Sequence, residues 1–154
     1  MLGFWREGGD GSSRWRMQQR NLVLILARDL ADKLASAVFV VDEEGTLVYF
    51  NEAAAEILGK TFGEVGMLRE EEWSKAFLPM EFDGRELNAD QLPLVVARRE
   101  RRPSHRAFRI KNMEGQERAI AVTALPLFAR KDEFVGAAGI FWEHEADDMG
   151  REGK

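Results

Sequence analysis

Between Val38 and Gly59 the chain carries a dense series of local structural signals. Val38–Asp42 and Thr46–Phe50 are short runs rich in Val, Phe and Tyr, and Glu43-Glu44-Gly45 between them reads as a hairpin-like turn. Asn51 follows directly, then Glu52–Leu58, then Gly59. An Asn side-chain oxygen can accept from the first free N–H groups of a helix, an acidic residue suits the positive end of the helix dipole, and Gly tolerates the left-handed residue that ends a helix. The spacing therefore predicts two paired strands leading straight into a short helix marked at both ends.

Upstream, residues 14–35 contain no Pro or Gly and read as a helix. Val23, Leu26, Leu30 and Leu34 fall on one face, and Leu22, Leu24 and Ile25 widen it until one turn is apolar nearly all round. Such a helix needs burial on more than one side, against its own domain or against a second subunit; a homodimer is expected. Downstream, residues 61–77 read as a loop with one or two short helices. Asn88 or Asp90 can cap a helix reaching about Glu100, with Pro93 in its first turn and Leu92, Val95 and Val96 on one face. Residues 105–111, 117–128 and 134–142 read as three strands, the second closing near Pro126. The order predicts an α+β fold: a five-stranded antiparallel sheet with short helices on one face, plus an N-terminal amphipathic helix. The expected divisions are a loose tail (1–13), the helix (14–35), one domain (36–143) and an acidic tail (144–154).

Composition removes several chemistries. The 154 residues include no cysteine, so no disulfide, thiolate nucleophile, cysteine-bound metal or cysteinyl chromophore is available. The longest early apolar run, Leu22–Ala27, is far short of the roughly 20 residues of a membrane span. A net charge of -5 argues against bulk nucleic-acid or anionic-membrane binding, and a cytoplasmic setting is expected. Walker, G-x-S-x-G, H-E-x-x-H and dinucleotide-binding patterns are absent, so no enzyme activity and no metal site are expected.

The segments Val40–Gly45, Tyr49–Ala54, Ile57–Lys60, Phe82–Leu87, Gln91–Leu94, Val122–Leu127 and Phe134–Ala137, in this order and spacing, resemble a PAS domain over about residues 36–143. That resemblance implies a sheet cupped by short helices, a small-molecule pocket between them, an N-terminal helix that often dimerises, and signals passed to partners. The length left over fits one helix and two tails, so an output module is expected on a separate protein.

The cofactors found among such domains were weighed against the residues. Photoactive flavin members need a cysteine where Arg69 aligns, and polar side chains where Ile110, Ile120 and Ala138 align. Buried ring atoms left without partners cost about 1–3 kcal/mol each, so flavin is not expected. Haem members place a histidine on the helix before the last three strands; here that helix has none, His105 lies just past it, and haem through His105 is a minor alternative.

By strand alternation the inward face is Phe39, Val41, Phe108, Ile110, Ile120, Val122, Ala124, Gly136, Ala138 and Ile140, facing Ile57, Leu58, Trp73, Phe77, Leu92, Val95 and Val96 from the helices. A filled core without ligand and a pocket for an apolar or amphiphilic molecule both remain open. The small residues Ala124, Gly136 and Ala138 point to a fatty-acid-like ligand, its carboxylate near Arg69 or Arg98. The outward residues Val135, Ala137, Gly139 and Phe141, with Leu22, Val23, Ile25, Leu26, Leu30 and Leu34, would form the dimer interface. The basic run Arg98–Lys111 reads as a solvated face, with anion contact as its rival.

Overall fold

The computed structural model describes residues 22–144. Helix α1 occupies residues 22–33 of these, followed by β1 (Ala37–Asp42), β2 (Leu47–Phe50), α2 (Glu52–Leu58), α3 (Phe62–Val65) and α4 (Glu70–Ala76). A 3₁₀ turn at Ala89–Gln91 leads into α5 (Pro93–Glu100), and β3 (Ser104–Lys111), β4 (Glu117–Arg130) and β5 (Glu133–His144) close the fold. The five strands form one sheet in the order β2-β1-β5-β4-β3, antiparallel throughout. The expected tail at 1–13, the first turns of the N-terminal helix and the acidic tail beyond His144 lie outside the described residues.

The local signals act where the sequence placed them. Asn51 caps α2 by accepting from Ala54 N–H at 3.0 Å, and the Gly59 N–H donates back to Ala55 O at 2.9 Å. The Asn51 side chain also reaches three other segments. Its Oδ1 accepts from Val38 N–H at 3.0 Å, and its Nδ2 donates to Ala31 O and Ser36 O, both at 2.8 Å. All four of its hydrogen-bonding positions are used, and the residue is 2 % exposed. One side chain thus joins α1, the segment after it, β1 and α2.

The sheet buries both faces of its first half. Phe39, Val41, Phe108, Ile110, Ile120, Val122 and Ala124 face the helices in the main core, with Ile57, Leu58, Trp73, Phe77, Leu92 and Val95. On the other face, α1 lays Leu24, Ala27 and Ala31 on Val38, Val40, Val48, Tyr49, Leu127 and Ile140. Polar contacts fix the helix further: the Tyr49 hydroxyl donates to Asp32, and the Arg28 guanidinium lies 4.6 Å over the Tyr49 ring.

Two expectations need correction. The inward residues of β5 are not Gly136, Ala138 and Ile140. Ala137 and Phe141 belong to the main core, and Gly139 pairs with the inward residues Phe39 and Ala124. Ile140 packs on the outer face beneath α1. Every residue from Phe134 to Phe141 is small or apolar, so alternation gave no sign of which set faced in, and a one-residue slip reverses the faces. The slip arises at the bulges near Phe128 and Phe134. At Gly136 (φ +156°) an added Cβ would lie 2.2 Å from Val41 O, so only Gly allows β1 and β5 to approach there. Second, β4 does not close near Pro126 but runs to Arg130. Pairing with β3 ends at Ala124, so Pro126 lies where β4 has become an edge strand and its missing N–H removes no ladder bond on that side.

Asn51→Ala would leave two N–H and two C=O groups without their side-chain partner. At about 1–3 kcal/mol for each buried group left unmet, offset by relaxation, a loss of about 3 kcal/mol is expected in urea denaturation; a loss below about 1 kcal/mol would contradict this role for Asn51.

Candidate functional site

Between the inner sheet face and the helices lies a cavity of about 70 Å³. The sheet contributes Phe39, Phe108, Ile110, Ile120, Val122 and Phe141, and the helical side contributes Leu58, Trp73, Ser74, Phe77, Pro79, Leu92, Pro93 and Leu94. Ser74 is the only lining residue with a polar side chain besides the Trp73 indole, whose Nε1–H is already bonded to Gly45 O at 2.8 Å. Trp73 also stands edge-on to Phe39, with ring centroids 5.4 Å apart.

Of the residues expected to line a pocket, Phe39, Leu58, Trp73, Phe77, Leu92, Phe108, Ile110, Ile120 and Val122 do so. Val41, Ile57, Val95 and Ala124 are buried in the core behind the lining, and Val96 is half-buried. Gly136, Ala138 and Ile140 are absent from the lining through the reversed parity of β5. Phe141, Leu94, Pro93, Pro79 and Ser74 were not foreseen. The small inner-face residues do not leave open space. Leu94 fills it, since a Cβ added at Gly139 would sit 3.1 Å from both Leu94 Cγ and Cδ1.

Neither expected carboxylate anchor lines the cavity. Arg69 precedes α4 with its side chain 69 % exposed, and its Nε donates to Glu72 at 3.1 Å. That hydrogen bond, with the charges of Glu71 and Glu72, raises the Arg69 pKa. Arg98 is committed to Glu70, donating from Nε at 2.7 Å and Nη2 at 2.8 Å. The hydrogen bond to Glu70 is the main cause of its raised pKa; burial opposes it, and the charges of Glu70 and Asp42 add to it. The Arg98–Lys111 run is largely paired: Arg99 bonds Glu70, Arg102 bonds Glu100, Arg106 bonds Glu81, and Arg101 lies 5.1 Å over Phe134.

On the outer face, α1 leaves Leu22, Ile25, Leu26 and Leu30 52–60 % exposed, and Leu34 38 %. Val23 is half-buried. The expected interface residues Ala137 and Phe141 point into the core, and Val135 is buried at the β5 bulge. The exposed apolar residues of the outer sheet are Leu125 and Trp142 instead. His105 lies on this face, with Nδ1 2.8 Å from Thr123 Oγ1 and its ring stacked on Trp142 at 6.1 Å.

A five-stranded antiparallel sheet in this order, short helices over one face and an apolar cavity between the layers define a compact α+β module. A family model described as PAS fold matches residues 31–145, and the chain belongs to that family. Among solved structures it is similar to the PAS domain of Bordetella pertussis BvgS, at 21 % identity over 84 % of this chain and 92 % of that one, with a TM-score of 0.55. It is also similar to the Rhodobacter sphaeroides LOV protein (18 % identity, 82 % and 70 % covered, TM-score 0.61). A third is the light-state dimer of the fungal blue-light photoreceptor Vivid (15 % identity, 71 % and 78 % covered, TM-score 0.55). At these identities the likeness is one of fold. No curated protein matches the chain.

Ile110 and Ile120 bring no side-chain donor or acceptor to the cavity, and neither do Ala137 and Gly139, which take the inward place expected for Ala138. The lining contains no histidine, and His105 faces the opposite side of the sheet.

Proposed function

We propose that this chain is a non-enzymatic sensory and interaction module that acts as a homodimer, with the outer face of α1 as the contact surface. The observation that carries this reading is the amphipathic split of α1. Leu24, Ala27 and Ala31 pack on the sheet, while Leu22, Ile25, Leu26 and Leu30 form a second apolar face at helical spacing, more than half exposed. Four large aliphatic side chains on one helix face are a costly surface for a monomer. Leu125 and Trp142 extend the apolar outer surface, and a fold relative, Vivid, was solved as a dimer. Passing a signal to a partner protein is part of this reading. No helix among the described residues is long and apolar enough to cross a membrane.

Light scattering at tens of micromolar is expected to give twice the 17.5 kDa chain mass, and Leu26→Glu with Leu30→Glu is expected to give the single-chain mass with unchanged far-ultraviolet dichroism. A wild-type chain that is already monomeric at that concentration overturns the dimer.

The almost wholly apolar lining, with Ser74 its one hydroxyl, favours a second reading, in which the cavity takes a small uncharged apolar molecule. Drug-sized ligands occupy roughly 300–1,000 Å³, whereas dry apolar cavities accept small molecules such as benzene or xenon. At about 70 Å³, with Arg98 bonded to Glu70 and Arg69 in solvent, the cavity offers a fatty acid neither length nor a counter-ion. Saturating benzene is expected to raise the melting temperature, and palmitate to leave it unchanged. A rise with palmitate restores the amphiphilic ligand, and no rise with either leaves a filled core.

A further inference from the structure

Glu70 is the first residue of α4 and is 9 % exposed. Its carboxylate accepts three N–H groups: Arg98 Nε at 2.7 Å, Arg98 Nη2 at 2.8 Å and Arg99 Nη2 at 3.1 Å. Both arginines lie in the last turn of α5, so each charge also sits at the favourable end of its helix dipole. The β1–β2 turn closes over the pair. A Cβ added at Gly45 would lie 2.7 Å from Arg98 Nε and 2.8 Å from Glu70 Oε1, and Gly45 O takes the Trp73 indole N–H one turn further along α4.

The elements joined here are two walls of the cavity. α4 supplies Trp73 and Ser74, and α5 with the residue before it supplies Leu92, Pro93 and Leu94. Among the described residues, the Glu70 cluster contains every side-chain hydrogen bond and ion pair between α4 and α5. α5 is packed down on the sheet through Val95, Ala97 and the Leu94–Gly139 contact, so the element whose shift leaves the ladder of the sheet intact is the seven-residue α4.

We propose that the Glu70–Arg98 pair is a conformational latch that sets access to the cavity. With the pair made, α4 and α5 are held together over the inner sheet face. With one partner neutralised or misfitted, the bidentate bond is lost and the remaining part-buried charge keeps only its weaker neighbour, Arg99 for Glu70 or Asp42 for Arg98; carrying it toward water separates the two helices and enlarges the cavity. The biological use of the latch rests on reading the cavity as a ligand site; the mechanical claim does not.

The test is amide hydrogen exchange on the full chain in wild type, Glu70→Gln and Arg98→Lys, with 8-anilinonaphthalene-1-sulfonate fluorescence as a second readout. Glu70→Gln is expected to speed exchange in α4 and the last turn of α5 by about tenfold or more, to leave β4 and β5 amides unchanged, and to raise the fluorescence several-fold. Arg98→Lys keeps the charge but loses the bidentate fork, so the same amides respond in the same direction and less strongly; it carries the test if Glu70→Gln does not fold. Unchanged exchange in α4 and α5, or acceleration spread equally through β4 and β5, overturns the latch. Local opening with no benzene effect on melting leaves the latch standing and removes the ligand reading. Benzene binding without local opening in either variant removes the latch alone.

Discussion

The Asn51 side chain has two acceptor and two donor positions, and this fold uses all four. Its Oδ1 holds Val38 N–H in β1 and Ala54 N–H in α2; its Nδ2 holds Ala31 O at the end of α1 and Ser36 O in the segment that follows. Because the amide and its partners in β1 and α2 are buried, Val38 N–H and Ala54 N–H have no water as an easy substitute. α2 carries Leu58 into the cavity lining, and α1 carries the exposed aliphatic face. A single residue therefore ties the helix with the exposed aliphatic face to the layer that lines the cavity. Asn112 makes a similar tie at the far end of α2, where its Nδ2 donates to Ile57 O at 3.1 Å while its Oδ1 organises the β3–β4 turn through Glu114 N–H and Gln116 N–H.

The size of the cavity follows from the way small and large residues face each other. Ala124, Ala137 and Gly139 on the inner sheet face allow α5 to approach closely, and Leu94 occupies the space they leave. What remains open is bounded by aromatic rings and aliphatic side chains, so its contents are governed by shape and desolvation and not by hydrogen bonding. The polar chemistry of this half of the molecule is displaced to the rim, where Glu70, Arg98, Arg99 and the Gly45 turn meet. The division is physically consistent: a charge cluster deep among Phe39, Phe108 and Phe141 would lose more solvation than pairing returns.

The fold was legible wherever a signal is local. Asn51 and Gly59 marked α2, Pro93 marked the first turn of α5, and the five strand runs were visible; their order across the sheet, which puts β1 beside β5, was not. The inward faces of β3 and β4 were legible because charged or small residues alternate with larger apolar ones there; β1 is apolar and covered on both faces, and its parity came from the family resemblance. β5 was not legible, since both of its faces are covered and both are apolar; only the bulges around Phe134 decide which set turns inward, and bulges leave little trace in composition. The role of Arg98 was also beyond reach. A basic run gives no indication that one member will find Glu70, 28 residues earlier, and leave the cavity without a cation. The packing of Leu94 against Gly139 depends on a helix-to-sheet distance that no local pattern encodes.

The central claim is that α1 and the cavity layer are one mechanical unit joined at Asn51. Native-state hydrogen exchange of the wild-type chain across sub-denaturing urea concentrations reads this directly. If the claim holds, amides near the end of α1, around Ala31, share one opening free energy and one urea dependence with those of Val38 and Ala54. If α1 opens separately at low urea with a shallow slope while Val38 and Ala54 stay protected to the global transition, the helix is an independent appendage and the account is wrong.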